Sequence, residues 1–454
     1  MSRYLAMAKT DRHLIGYSSG NFGKNLLLGS VDVTLLFLLT DLLGVAPHSV
    51  SVLMLMVFGA DLVLDLGAGL LAAWAQNRGV GYRRLIALGA LPCGAAFALI
   101  YSLPLLGARN IVVIALAIIA FRAAYAIIDV PHNSLLARIA SDSRARGRAS
   151  GYRTVFSSAA SVVIATVLVP FMGGDGRPAS AGQLSMLGVV GGLAFCAAIL
   201  FAAWSAREDG AAGAEGAKRQ QRGDDIGGAA RIAFLPKLDR LFAAMAVIAL
   251  VTGFAMPVFG KMMLYIATYA LHQPGLAGRL LLTITFGQLA GVALWIFLVR
   301  SHDKTVLLAA SHAVAICGIL FFVMAGDNAW LLTAAALIGV GFGGVFMLPW
   351  GILADITDFA TFRHRERRET ATFATMLVLL KAGGAGALAG IGWSLGELGY
   401  VPGVAQPESV ILGMKLLAFG VPILGSIIAI LTLRRLAIGH QAHARVVRAN
   451  RRWA

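Results

Sequence analysis

Two aspartates one helical turn apart in an apolar run, Asp61 and Asp65 in ADLVLDLGAG, are the residues of this 454-residue chain whose spacing most clearly suggests chemistry. The i, i+4 spacing stacks both carboxylates on one helix face. Hard oxygens carrying negative charge at adjustable separation suit a monovalent cation. They suit a proton equally well, because two like charges in a dry site favour sharing one. The structural alternative is a pair neutralised by Lys or Arg from another helix. Function is the better reading, because an ionisable group at mid-membrane costs at least ~2.5 kcal/mol.

Other charges sit in similarly apolar surroundings. Asp129, in AYAIIDVPHNSLLARIA, precedes Val130-Pro131. A proline removes a backbone donor and leaves carbonyls for a ligand. Asp129 is therefore a candidate to bind substrate hydroxyls or to join Asp61 and Asp65 around one cation, with Arg122, seven residues earlier, as a structural neutraliser. GNFGKNLLLGSVDV carries Lys24, Asn25 and Asp32. Asn25 and Asp32 share a face, and Asn25 offers both a donor and an acceptor. Lys24 either joins them or snorkels to the interface. Lys381, in MLVLLKAGGAGALAG, is a cation that could balance the acids. Asp355 and Asp358, beside the Arg363–Arg368 cluster, read as a gate or latch ion pair.

The elements that must position these residues follow from composition. The chain is 58% hydrophobic and 13% charged, with a mean hydropathy of +0.79. A soluble domain carries roughly 25% charged residues, so a soluble enzyme and a disordered chain are both excluded. A spanning helix needs about 20 apolar residues. Such runs lie near 16–42, 49–76, 84–106, 110–137, 151–173, 183–205, 239–268, 279–300, 305–325, 329–356, 370–397 and 409–433. The expectation is an all-α polytopic membrane protein with two six-helix bundles, 1–205 and 239–435. A polar linker, 206–238, joins them, and a basic tail, 436–454, follows.

The net charge of +16 is a topology map. With the amino terminus on side one, 30 of the 38 basic residues fall in same-side segments and three, Arg109, Arg177 and Arg279, on the other. The positive-inside rule then places both termini in the cytoplasm. The Arg-rich tail is an anchor near acidic lipid, and nucleic acid is not expected as a partner. With so polar a start, no cleavable leader is expected. Cys93, Cys196 and Cys317 have no paired or metal-ligand spacing. No phosphate-binding G-x-x-x-x-G-K-[ST] and no catalytic constellation occurs, so neither an ATP-driven pump nor an enzyme is expected.

Several segments together resemble the melibiose permease-like glycoside–pentoside–hexuronide:cation symporters of the major facilitator superfamily. Gly20-Asn21-Phe22-Gly23-Lys24-Asn25 is similar to the family's G-x-F-G-K-[DN], and Asp61 and Asp65 to its D-x-x-x-D. Asp129-Val130-Pro131-His132-Asn133-Ser134-Leu135 is similar to D-[IV]-P-x-x-S-L. Asp142-Ser143-Arg144-Ala145-Arg146, Arg153, Ala354-Asp355-Ile356-Thr357-Asp358, Lys381-Ala382-Gly383-Gly384 and Gly399-Tyr400-Val401-Pro402 continue the match, which runs from about residue 16 to 435. The resemblance implies a major facilitator fold of twelve helices working by alternating access. It implies a coupling ion, H⁺ or Na⁺, at Asp61, Asp65 and Asp129, with Asp61 and Asp65 as metal ligands only if the ion is Na⁺. It implies substrate binding by Lys24, Asn25, Asp129 and Arg153, and coupling through Lys381.

The departures from the family pattern matter as well. Asn25 stands where the family's type member has an Asp, so Asp32 is a candidate replacement acid. Asn133 and Phe346 replace tryptophans, which reduces sugar stacking, and Leu64 and Ala126 replace polar residues near the cation. Losing neutral oxygen ligands weakens a Na⁺ site more than a proton site. The expected function is H⁺-coupled symport of a glycoside or other sugar-like solute by a monomer in the bacterial inner membrane, with no cofactor. The alternatives are a lysolipid or amphiphile transporter and, less favoured, a non-transporting sensor.

Overall fold

A computed structural model describes residues 12–139, 143–173, 179–206, 239–299, 301–364, 369–434, 436 and 438–451. The described residues form helices and their connecting turns, and no strand occurs among them. Twelve helices are long and apolar enough to cross a membrane. They are α1 (Arg12–Leu42), α2 (Pro47–Gln76), α3 (Tyr82–Ser102), α4 (Ile111–Leu136), α5 (Gly151–Met172) and α6 (Ala181–Ser205). The second set is α7 (Arg240–Ala270), α8 (Leu276–Leu298), α9 (Lys304–Met324), α10 (Asn328–Arg363), α11 (Thr375–Glu397) and α12 (Glu408–Leu433). A polar helix, α13 (His440–Arg451), follows.

The spans agree with the apolar runs except at their ends. The largest difference is α10, which continues past the apolar run to Arg363. Thr357 and Thr361 there donate their hydroxyls back to the carbonyls of Ala354 and Thr357, so these side chains find partners within the helix itself. At 1.5 Å per residue α10 is about 54 Å long, against a hydrocarbon core of about 30 Å. Asp355 and Asp358 therefore lie beyond the apolar part of the helix. Residues 207–238 of the expected linker lie outside the described residues.

The chain divides into two compact units, 1–226 and 227–454. In the first, α1 packs on α5 and α6, α3 on α4 and α6, and α2 on α4. In the second, α7 packs on α11 and α12, α9 on α10 and α12, and α8 on α10. Each of these five pairings in the first unit recurs six helices later, which is the signature of an internal repeat. The repeat extends to detail. α1 and α7 both end in a π-helical turn, Leu38–Leu42 and Ile266–Ala270. In α1, Leu43 N donates to Leu38 O and Val45 N to Leu39 O; in α7, Leu271 N donates to Ile266 O and Gln273 N to Ala267 O. The second residue after each turn takes a left-handed backbone, Gly44 at φ 67° and His272 at φ 52°. Glycine does this at no steric cost, whereas His272 bears it in a position fixed by the repeat.

Close packing inside each unit uses small residues. A Cβ at Gly192 of α6 would lie 2.6 Å from Gly94 O of α3, so the two backbones meet without side chains between them. The outer faces carry exposed Leu88, Leu91, Met186 and Leu193, as expected where lipid is the solvent.

Candidate functional site

The first unit gathers a cation, a carboxylate, an imidazole, an amide and a guanidinium from three helices. α1 contributes Tyr17, Asn21 and Lys24, spaced by four and three residues along one face. α4 contributes Asp129, His132 and Asn133, and α5 contributes Arg153. Close approach of α1 to α4 depends on Gly20, where a Cβ would lie 2.6 Å from His132 Nε2.

Lys24 is the centre. Its side chain is only 6% exposed, and Nζ lies 2.5 Å from Asp129 Oδ1. The same ammonium donates to Asn133 Oδ1 at 3.1 Å and contacts His132 Nδ1 at 3.4 Å. An ammonium has three donors and no lone pair, so all three are committed and His132 Nδ1 must accept. The proton of a neutral His132 then sits on Nε2, which faces Tyr17 O at 3.2 Å. Tyr17 locks the imidazole twice more: its ring stacks on His132 at 4.5 Å and its hydroxyl donates to His132 O at 2.7 Å.

Asn133 ties the cluster together. Its Oδ1 accepts from Lys24 and also from Arg153 Nη2 at 2.8 Å, while its Nδ2 donates to Asp129 Oδ2 at 3.0 Å. Arg153 is held in turn by Nε donating to Asn21 Oδ1 at 3.0 Å. A site with two cations, one carboxylate and an amide can donate to and accept from vicinal hydroxyls.

The other expected residues are placed as follows. Asn25 turns to α5 and donates to Ser157 O at 2.6 Å and Ser161 Oγ at 2.9 Å, while Asp32 is exposed two turns further along α1. Asp61 and Asp65 are half-buried on α2, and Asp61 Oδ2 lies 3.4 Å from Arg122 Nη1. The guanidinium considered as a neutraliser for Asp129 thus serves Asp61, and Lys24 serves Asp129. Arg122 is two turns, about 10 Å, from Asp129 along α4, which favours partners on different helices. Among the described residues no three of His, Cys, Asp and Glu converge as metal ligands.

In the second unit, Phe346 is half-exposed and meets Phe342 edge-on at 5.9 Å, and Lys381 lies exposed on α11. Asp355 is bridged by Lys304 Nζ at 2.8 and 2.9 Å, with His443 of α13 at 3.6 Å. Asp358 lies 2.9 Å from His443 Nε2. Of the Arg363–Arg368 cluster read from the sequence, residues 365–368 lie outside the described residues.

Sequence reasoning assigned no role to Tyr17, Asn21, His132, Ser157, Ser161, Lys304 or His443. A signal was present for some of them. Tyr17, Asn21 and Lys24 fall on one helical face, as do Arg153, Ser157 and Ser161, in otherwise apolar helices.

The comparisons agree with this architecture. A family model described as MFS/sugar transport protein matches residues 16–440. The Inner membrane symporter YicJ of Escherichia coli (strain K12) is 27% identical over 395 residues, covering 85% of this chain and 82% of that protein. The Putative glycoside/cation symporter YagG of the same organism is 24% identical, covering 91% and 89%. Among solved structures, the nucleoside transporter NupG superposes with a TM-score of 0.63 at 13% identity, covering 93% of this chain and 99% of that one. The chain belongs to the MFS/sugar transport protein family: it is a multi-pass membrane transporter of the major facilitator fold, and not an enzyme.

Proposed function

We propose that this transporter is a cation-coupled symporter for a glycoside or similar hydroxyl-rich solute, with H⁺ as the coupling ion, working by alternating access in the bacterial inner membrane with both termini cytoplasmic. The observation that carries this reading is the Lys24–Asp129 pair bridged by Asn133, which Arg153 also holds. Such a group is costly to hold in a membrane span unless it is used. A sugar hydroxyl can take the place of Asn133 at Lys24 or Arg153 while donating to Asp129. The name of one relative, the Putative glycoside/cation symporter YagG, supports the same solute class.

Coupling is assigned to Asp61 and Asp65. Asp61 is held by Arg122 at 3.4 Å, a loose contact for a charge-assisted hydrogen bond. A cation bound to the carboxylates would release Arg122 and change what α2 and α4 hold in common. The proton is favoured because Leu64 and Ala126, beside these acids in sequence or on α4, offer no side-chain oxygen to complete a Na⁺ shell. Lys381 is proposed to couple solute and ion, and Asp355 and Asp358 to gate.

The test is uptake of a labelled glycoside by proteoliposomes carrying the purified chain, driven by a pH gradient without Na⁺. Accumulation that collapses with the gradient and is lost in Asp61→Asn supports the reading. A requirement for Na⁺ at constant pH overturns the proton assignment. Thermal stabilisation by lysolipids and not by glycosides moves the solute to the amphiphile class.

A further inference from the structure

The start of α1, the start of α3 and the end of α6 form two adjoining grooves that belong to neither the Lys24 cluster nor the Asp61 pair. One, of about 560 Å³, is lined by Arg83, Arg84, Leu200 and Trp204 among others. The other, of about 680 Å³, is lined by Arg12, His13, Arg83, Phe201 and Trp204. Both volumes lie in the range of small-ligand sites. No described carboxylate lines either groove.

The grooves are built around fixed groups. Arg83 Nε donates to Ala203 O at 2.6 Å and its Nη2 to Trp204 O at 3.2 Å, so the last carbonyls of α6 hold the guanidinium. A guanidinium has five donors, so three remain. His13 Nδ1 donates to Ser205 O at 3.1 Å, tying α1 to the same helix end. Arg12 and Arg84 are exposed beside it. Next to these cations, Trp204 and Phe201 are 69% and 51% exposed with ring centres 6.0 Å apart. Arginine donors meet an exposed apolar ledge at the end of three spans. That pairing matches a molecule with a phosphodiester at one end and acyl chain at the other.

The geometry points to a binding site for an anionic phospholipid, with its phosphate on Arg83, Arg84 and Arg12 and its chains along Trp204 and Phe201. A free phosphoanion offers the same oxygens but nothing to cover the aromatic ledge. The lipid is therefore the occupant assigned. A bound lipid would bridge α1, α3 and α6 where Arg83 and His13 already join them.

The test uses the full purified chain titrated with dibrominated phosphatidylglycerol or dibrominated phosphatidylcholine, reading the tryptophan quenching that is absent in Trp204→Phe. Phosphatidylglycerol is expected to quench this component at a several-fold lower mole fraction. The preference should fall about fivefold per arginine in Arg12→Gln and Arg84→Gln, and high salt should shrink it in the unaltered chain. An Arg109→Gln control should leave it unchanged. Equal quenching by both lipids in the unaltered chain overturns the site without reliance on any variant. An unchanged preference in the Arg12→Gln/Arg84→Gln chain also overturns it. Displacement of the lipid by millimolar inorganic phosphate would reassign the grooves to a free phosphoanion.

Discussion

Lys24 of α1 and Asp129 of α4 form an ion pair at 2.5 Å, and the lysine end of it is almost sealed from solvent. Removing the lysine takes from the Asp129 carboxylate, which is 32% exposed, its charged partner, at a cost of about 1.5 kcal/mol or more. Lys24→Met should therefore lower the thermal unfolding midpoint by several degrees and abolish solute binding. The Lys24→Met/Asp129→Leu chain, with both charges gone, should recover most of the stability and none of the binding. If the double variant still binds solute, the pair is structural and the site lies elsewhere.

His132 supplies the third acceptor for the Lys24 ammonium, and its neutral tautomer is imposed by the Tyr17 carbonyl. His132→Phe keeps a ring to stack on Tyr17 and deletes the acceptor. The ammonium is then one partner short and should point less uniquely at the solute. The expected result is a KM for uptake raised roughly tenfold, the equivalent of one hydrogen bond to a charged group, with the maximal rate changed much less. An equal loss in both parameters would show that His132 acts on the carrier's movement and not on solute positioning.

The twelve spans were legible because a bilayer demands long apolar runs, and Lys24, Asp61, Asp65, Asp129 and Lys381 stood out because such runs should hold no charge. Their pairing was not legible. Lys24 and Asn133 are 109 residues apart, and only packing of α1 on α4 brings them together. Lys24 and Asn25 are neighbours in sequence, yet successive helix positions differ by about 100° in direction. Lys24 therefore meets α4 while Asn25 meets Ser157 and Ser161 of α5. Distance in sequence also hid partners of Asp355 and Asp358. Lys304 and His443, 51 and 85 residues away in sequence, reach Asp355 and Asp358 from α9 and α13. The internal repeat was hidden for another reason: it is carried by helix pairings and by the turns after α1 and α7, whose residues differ as much as Gly44 and His272.

Arg122 competes for Asp61, so removing it should strengthen binding of the coupling ion. A loose pair that is about one-fifth exposed on each side holds roughly 1 kcal/mol. Arg122→Gln should then raise the apparent affinity for the coupling ion about fivefold, measured as the ion concentration giving half-maximal uptake. Asp61→Asn should keep solute binding while losing gradient-driven accumulation. A fall in ion affinity in Arg122→Gln would make the arginine a supporting part of the ion site and not its competitor.

His443 joins α13 to the end of α10 through Asp358 at 2.9 Å and Asp355 at 3.6 Å, and its ring lies 6.2 Å from that of Phe359. Lys304 shares Asp355 from α9, so one carboxylate links three helices. The chain between α12 and α13 adds apolar contact, since Leu436 and Ile438 are buried in the core of the second unit with Leu433. α13 is short, polar and not stable by itself, so its order depends on these few contacts. His443→Ala should raise amide hydrogen exchange across α13 with little change in α9 and α10, because Lys304 still holds Asp355. Asp355→Asn should loosen α9, α10 and α13 together. If α13 exchanges at the same rate in His443→Ala as in the unaltered chain, the apolar contacts of Leu436 and Ile438 suffice to dock it and the histidine is not the latch.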